Sequence, residues 1–210
     1  MIAITAVAWI ALASRAATEG HARAHGAQTG FAIGEWVVMV AAMMFPLILP
    51  SVRHAASHSL WPRRHRAIAV FLCGYSATWL LFGVAALGLF AAMDFAHHAW
   101  TLPLGLALAA AWQFVPAKCR AARACHRTMP LAPSGLVADR DCLRYGWMVG
   151  VPCIITCWPL MATCAVSHNL PAMMGASLIT SLDRYAFRPR TRLTVAALSA
   201  MAIAFFLMGR

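Results

Sequence analysis

The chain has 210 residues, of which 62% are hydrophobic and only 11% charged, against about 25% charged in an ordinary soluble domain. Its repeated apolar runs of membrane length exclude a single soluble domain and point to an all-α, polytopic transmembrane helical bundle. Basic residues outnumber acidic ones 17 to 6. In such a chain this excess reads as topogenic charge and attraction to anionic lipid headgroups, not as a nucleic-acid surface.

Hydropathy predicts seven apolar segments in one integral-membrane domain over residues 1–210. The first, residues 2–13, is short and lacks a basic lead-in, so it is either a marginal helix or a signal-like segment. The count is therefore seven spans, or six if that segment does not cross. The others are 31–49, 67–93, 102–117, 143–166, 170–182 and 193–208. The sixth falls below the usual ~17–25 residues of a span.

Charge orients these segments. The linkers 50–66, 117–144 and 183–192 hold 14 of the 17 basic residues, leaving only Arg15, Arg23 and Arg210 for the other side. The positive-inside rule then puts the N-terminus and the basic linkers in the cytoplasm and the C-terminus outside. Of the histidines, His21, His25, His97, His98 and His168 fall on the outer side. His97 and His98 follow Asp94 in a short outer loop, a cluster able to pass a metal ion if the histidines are not simply solvated.

In the second segment Glu35, Met39 and Met43 recur every four residues and share a helix face, with Met44 and Pro46 following. An acidic residue in a span is a functional candidate by default, although Glu35 lies near the outer boundary, where a cap or headgroup contact serves equally. The methionines have a plain reading as gap-filling core residues.

The fifth segment carries Cys153, Cys157 and Met161 at four-residue spacing on one face, and Cys164 returns to it. Pro152 and Pro159 interrupt its hydrogen bonding and predict a broken helix. Two thiols and a thioether make a soft ligand set suited to Cu(I), the alternative being small buried apolar side chains. By helical rise, Cys153 and Cys157 lie ~15 and ~21 Å above the inner boundary, and Met39 and Met43 ~12–18 Å below the outer one. These heights overlap in a core ~30 Å thick, with Met161 and Met173 higher, so the sulfurs can form a ladder.

Three of the seven cysteines, Cys119, Cys125 and Cys142, belong to the cytoplasmic linker or its edge. The absence of Cys-x-x-Cys argues against a thioredoxin-like centre or a zinc ribbon. No nucleophile elbow, P-loop or His-Glu-x-x-His occurs, so the chain is not expected to be an enzyme.

Four blocks together resemble one family, the predicted metal-binding integral membrane proteins long catalogued as a bacterial domain of unknown function. They are Trp36 with Ala42-Met43-Met44, Pro46 and Pro50; Trp112-Gln113 with Pro116, Lys118 and Cys125; Cys153 and Cys157 with Trp158, Leu160 and Met161; and Asn169-Leu170 with Met173 and Asp183-Arg184. Order and spacing agree over residues 36–184. Departures are Thr156 and Ala121 where the family has cysteines, Trp112 for its tyrosine, and Asp183-Arg184 for its Glu-Lys. The resemblance implies a metal-binding protein of the bacterial inner membrane, in a family some of whose members are linked to copper delivery.

Residues and resemblance together give the leading expectation of a Cu(I) transport or delivery protein serving a periplasmic copper protein or copper enzyme. Its expected ligands are Cys153, Cys157, Met161, Met43, Met44, Met39, Met173 and Cys125. Glu35 or His168 would stand at the outer entrance and Cys125 at the inner one. A metal-free membrane scaffold is the second reading. A thiol oxidoreductase using Cys153 and Cys157 is the third, because Cα atoms four apart on a helix sit near the ~6–7 Å limit for a disulfide.

Overall fold

The computed structural model describes residues 2–19, 28–92, 100–185 and 191–208. Among them it is all-α, 89% helical and without strands. Each of the seven apolar segments becomes a helix: α1 (Ile2–Glu19), α2 (Gln28–Met44), α4 (Arg64–Ala92), α5 (Thr101–Trp112), α7 (Gly135–Ser167), α8 (Leu170–Tyr185) and α9 (Thr191–Met208). Two short helices, α3 (Leu49–Ser57) and α6 (Pro116–Ala124), complete the described set.

Proline decides where two of the predicted spans end. Pro46 cannot donate to the α2 ladder, so the chain passes through a 3-10 turn, Pro46–Ile48, into α3 with a bend of 46°. Pro116 opens α6, where a missing N–H costs nothing, and the path from α5 bends there by 76°. The segments 31–49 and 102–117 are thus each a helix followed by a sharp turn, because average hydropathy does not register a missing donor.

Three helical stretches, Trp61–Ala92, Gly135–Ser167 and Thr191–Met208, are long and apolar enough to cross a membrane, and up to five if each bent pair counts as one span. A count of seven is not reached by this measure. The apolar part of α1, Ala3–Ser14, is too short, and α8 has only 16 residues.

A second expectation is corrected at α7. Its 33 residues run unbroken through Pro152 and Pro159. The Thr156 hydroxyl donates to the carbonyls of Pro152 at 3.1 Å and Cys153 at 2.8 Å, and Thr163 donates to that of Pro159 at 2.6 Å. These bonds fall on the carbonyls of Pro152, Cys153 and Pro159, whereas the acceptors that each proline deprives of a donor are those of Met148 and Ile155, four residues earlier. α7 also starts eight residues before its apolar run, because Gly135–Cys142 is polar yet helical.

The chain divides into two compact units. The first comprises Met1–Leu47, Val84–Val115 and Cys157–Arg210. Within it α1 packs on α2, α9 packs on α5 and α8, and α8 also touches α1 and α2. Trp112 of α5 meets Trp158 of α7 edge to face, with centroids 5.3 Å apart.

The second unit comprises Ile48–Gly83 and Pro116–Thr156. Its core is the fully buried aromatic set Phe71, Tyr75 and Tyr145. Here α4 and α7 approach almost backbone to backbone, at Gly74 against Leu143 and at Gly146 against Phe71 and Tyr75. Two basic linkers meet in this unit. Asp139 pairs with Arg63 and, at 2.8 Å, with Arg66, the His54 ring bonds the Met129 carbonyl at 3.0 Å, and the Leu60 N–H reaches the Pro133 carbonyl.

Candidate metal centre

Several sulfur side chains of the first unit are turned inward, while Met174 and Met208 are exposed. On α2, Met43 and Met44 are fully buried and Met39 is 2% exposed. Their helix presents Val37 outward instead. On the last turns of α7, Met161 and Cys164 are fully buried and Cys157 is 9% exposed. On α8, Met173 is 5% exposed while its neighbour Met174 is 57% exposed. Burial of one methionine of that pair and not the other follows from helical phase.

One polar contact ties α2 to the end of α7. Glu35 Oε2 and His168 Nδ1 lie 3.9 Å apart, with side chains 16% and 44% exposed. His168 sits just past the last residue of α7 with φ of 45°, a left-handed turn that reverses the chain into α8. Asn169 then caps α8, its side-chain oxygen accepting from the Ala172 N–H at 2.9 Å.

Measured along each helix from that contact, Met39 and Cys164 each lie ~6 Å away, Met43 ~12 Å, Met161 ~10 Å and Cys157 ~16 Å. Met173 is ~5 Å into α8. The sulfurs thus occur in tiers below a polar pair. Their chemistry suits a soft cation, with thioethers neutral and thiols able to ionise on binding. Among the described residues no group of three or more His, Cys, Asp or Glu side chains could hold a metal ion.

Of the eight expected ligands, Met39, Met43, Met44, Cys157, Met161 and Met173 belong to this first unit, and Cys153 and Cys125 to the second. Cys153 is buried on α7 with its thiol 3.2 Å from the Tyr75 hydroxyl, the two sharing a hydrogen bond. Cys125 is buried at the end of α6, its N–H bonded to the Ala121 carbonyl at 2.9 Å. None of the seven cysteines is in a disulfide. His21, His25, Asp94, His97 and His98 lie outside the described residues.

Sequence reasoning left Cys164 out of the ligand set although its return to the Cys157 face was visible in the spacing. The pairing of Glu35 with His168 joins residues far apart in sequence and carries no local signal. The Tyr75 partner of Cys153 was equally silent.

Among the described residues the protein is all-α, with apolar helices that bury several thiols and thioethers. In agreement, a family model, PpoB2, described as copper chaperone, matches residues 33–209, and the chain belongs to that family. The match extends the resemblance read from residues 36–184 toward both termini. No curated protein and no solved structure matches the chain.

Proposed function

We propose that this protein is a multi-pass carrier of the bacterial inner membrane that holds Cu(I) on buried sulfurs and passes it to a periplasmic copper protein or copper enzyme. The observation that carries the reading is the set of buried sulfur side chains in the first unit, which includes Met39, Met43, Cys157, Met161, Cys164 and Met173. Membership of a copper chaperone family supports copper as the cargo. Thiol and thioether donors favour the monovalent ion.

Exchange between neighbouring sulfurs lets the ion move with little change in its coordination chemistry. Within the first unit, Cys157 and Met161 of α7, one turn apart, offer successive stations along a single helix. Apolar helices of spanning length support membrane insertion. The gathering of two arginine-rich linkers in the second unit is in keeping with a cytoplasmic placement of that end, with the N-terminus cytoplasmic and the C-terminus periplasmic.

The test is copper content and Cu(I) competition binding on detergent-purified protein, comparing wild type with Cys153→Ser, Cys157→Ser and the double variant. Stoichiometric copper that the double variant loses is the expected result. Equal, near-zero copper in all four proteins would sink the reading and leave a metal-free scaffold. Because Cys153 already shares a hydrogen bond with Tyr75, Cys157→Ser is expected to cost more affinity than Cys153→Ser.

A further inference from the structure

We infer that the exposed face of α7 between Arg140 and Ile155 holds one anionic phospholipid, with its phosphate on Arg140 and Arg144 and an acyl chain along Trp147, Val151 and Ile155. The inference takes from the reading above only that the helices lie in a membrane, and copper plays no part in it.

Helical phase gathers these residues. At ~100° per residue, Arg140, Leu143, Arg144, Trp147, Val151 and Ile155 fall within one arc of ~120°. All six are exposed, Trp147 by 48%. Along the axis the face begins with two guanidinium groups one turn apart. An indole follows ~4.5 Å further on, and then two β-branched aliphatic side chains. A phospholipid has the same order of chemistry, from phosphate through the ester region to the acyl chain. Tryptophan is the side chain enriched where headgroup meets hydrocarbon.

The positive charge on this face is uncompensated. Asp139 and Asp141 fall outside the arc, one on either side. Asp139 is engaged by Arg63 and Arg66, and Asp141 Oδ2 accepts from the Ala132 N–H at 3.2 Å. The side chains of Arg140 and Arg144 make no hydrogen bond or ion pair among the described residues. The second unit as a whole carries ten basic and two acidic residues, so it draws anions in general. The apolar half of the α7 face selects among them for one with a hydrocarbon tail.

Length fits as well as charge. From Arg144 to Ile155 the helix rises ~16 Å, against ~15 Å for one leaflet of a ~30 Å core. Beyond Ile155 the face closes, and no residue from Thr156 to Ser167 is exposed. The open apolar run is therefore about one acyl chain long.

The experiment is native mass spectrometry of the full chain released from detergent micelles doped with equimolar phosphatidylglycerol and phosphatidylcholine of the same acyl chains. Wild type should retain one phosphatidylglycerol per chain, preferred over phosphatidylcholine by ~10-fold or more. Arg140→Gln/Arg144→Gln should lose that preference, and Arg140→Lys/Arg144→Lys, which keeps the charge, should restore it. Arg120→Gln/Arg127→Gln removes equal charge from exposed positions elsewhere in the unit and should leave the preference intact. Equal loss in the two glutamine variants would overturn the site by making the preference an effect of bulk charge. Displacement of the lipid by inorganic phosphate would overturn it too, as would a wild type without preference. A chain that stays soluble without detergent would overturn the membrane placement and this inference together. Copper is absent at every step, so the copper reading is judged separately.

Discussion

Replacing Gly146 by alanine probes the close crossing that fixes α4 against α7 and holds the Tyr75–Cys153 contact. The added Cβ would lie 2.8 Å from the Tyr75 nitrogen, 3.2 Å from the Gly74 carbonyl carbon and nearer still to the Phe71 oxygen. All three are backbone atoms, which cannot rotate away as a side chain would. Relief to ordinary van der Waals contact needs well over the ~0.6 Å that the Tyr75 nitrogen alone would demand, because the Phe71 oxygen is closer, in a tightly packed interior. Overpacking of this kind costs about 1–3 kcal/mol, and the better helix propensity of alanine returns about 1 kcal/mol. The net is a loss of up to ~2 kcal/mol. Gly88→Ala, on the same α4 but with nothing within 4 Å of the new Cβ, keeps only the gain. Circular dichroism melts in mild detergent should place Gly146→Ala below wild type and Gly88→Ala at or above it. Maleimide labelling should also find Cys153 more reactive in Gly146→Ala, because Tyr75 shifts away from the thiol. Equal melting of the two alanine variants would refute the close-crossing argument.

Asp139→Asn removes the carboxylate shared by Arg63 and Arg66 in a site where Asp139 is only 18% exposed. Lost charge-assisted hydrogen bonds of this kind are worth ~1–3 kcal/mol, read as a lower melting temperature with copper uptake retained. Met161→Leu keeps the volume of a fully buried side chain and deletes its thioether. It should leave the melting temperature within a degree or two of wild type while Cu(I) affinity falls by ~10-fold, measured by chelator competition.

The apolar segments were legible because each is a long run of one kind of residue, and all seven appear as helices. The breaks after Met44 and Trp112 were not, since one proline changes hydrogen bonding without changing hydropathy. The opposite error came at Pro152 and Pro159, through which α7 continues as one helix. Its polar first turns, with Asp139, Arg140 and Asp141, escaped for a related reason, as hydropathy locates lipid-facing residues and not helix ends.

In the candidate site, four-residue spacing foretold the faces of α2 and α7 because helical phase is local. Inward orientation was then found for Met39, Met43, Cys157 and Met161. Spacing on one helix could not say which sulfurs share a compact unit, and Cys125 and Cys153 fall in the other. Glu35 and His168 were each suspected at an entrance, but only tertiary structure brings them to 3.9 Å.

Copper X-ray absorption on the fully loaded, detergent-purified protein addresses the claim that sulfur holds the ion. A Cu(I) edge with a first shell dominated by sulfur at ~2.3 Å is expected, the length usual for metal–thiolate bonds. A first shell of nitrogen and oxygen without sulfur would contradict it and remove the buried methionines and cysteines from the site.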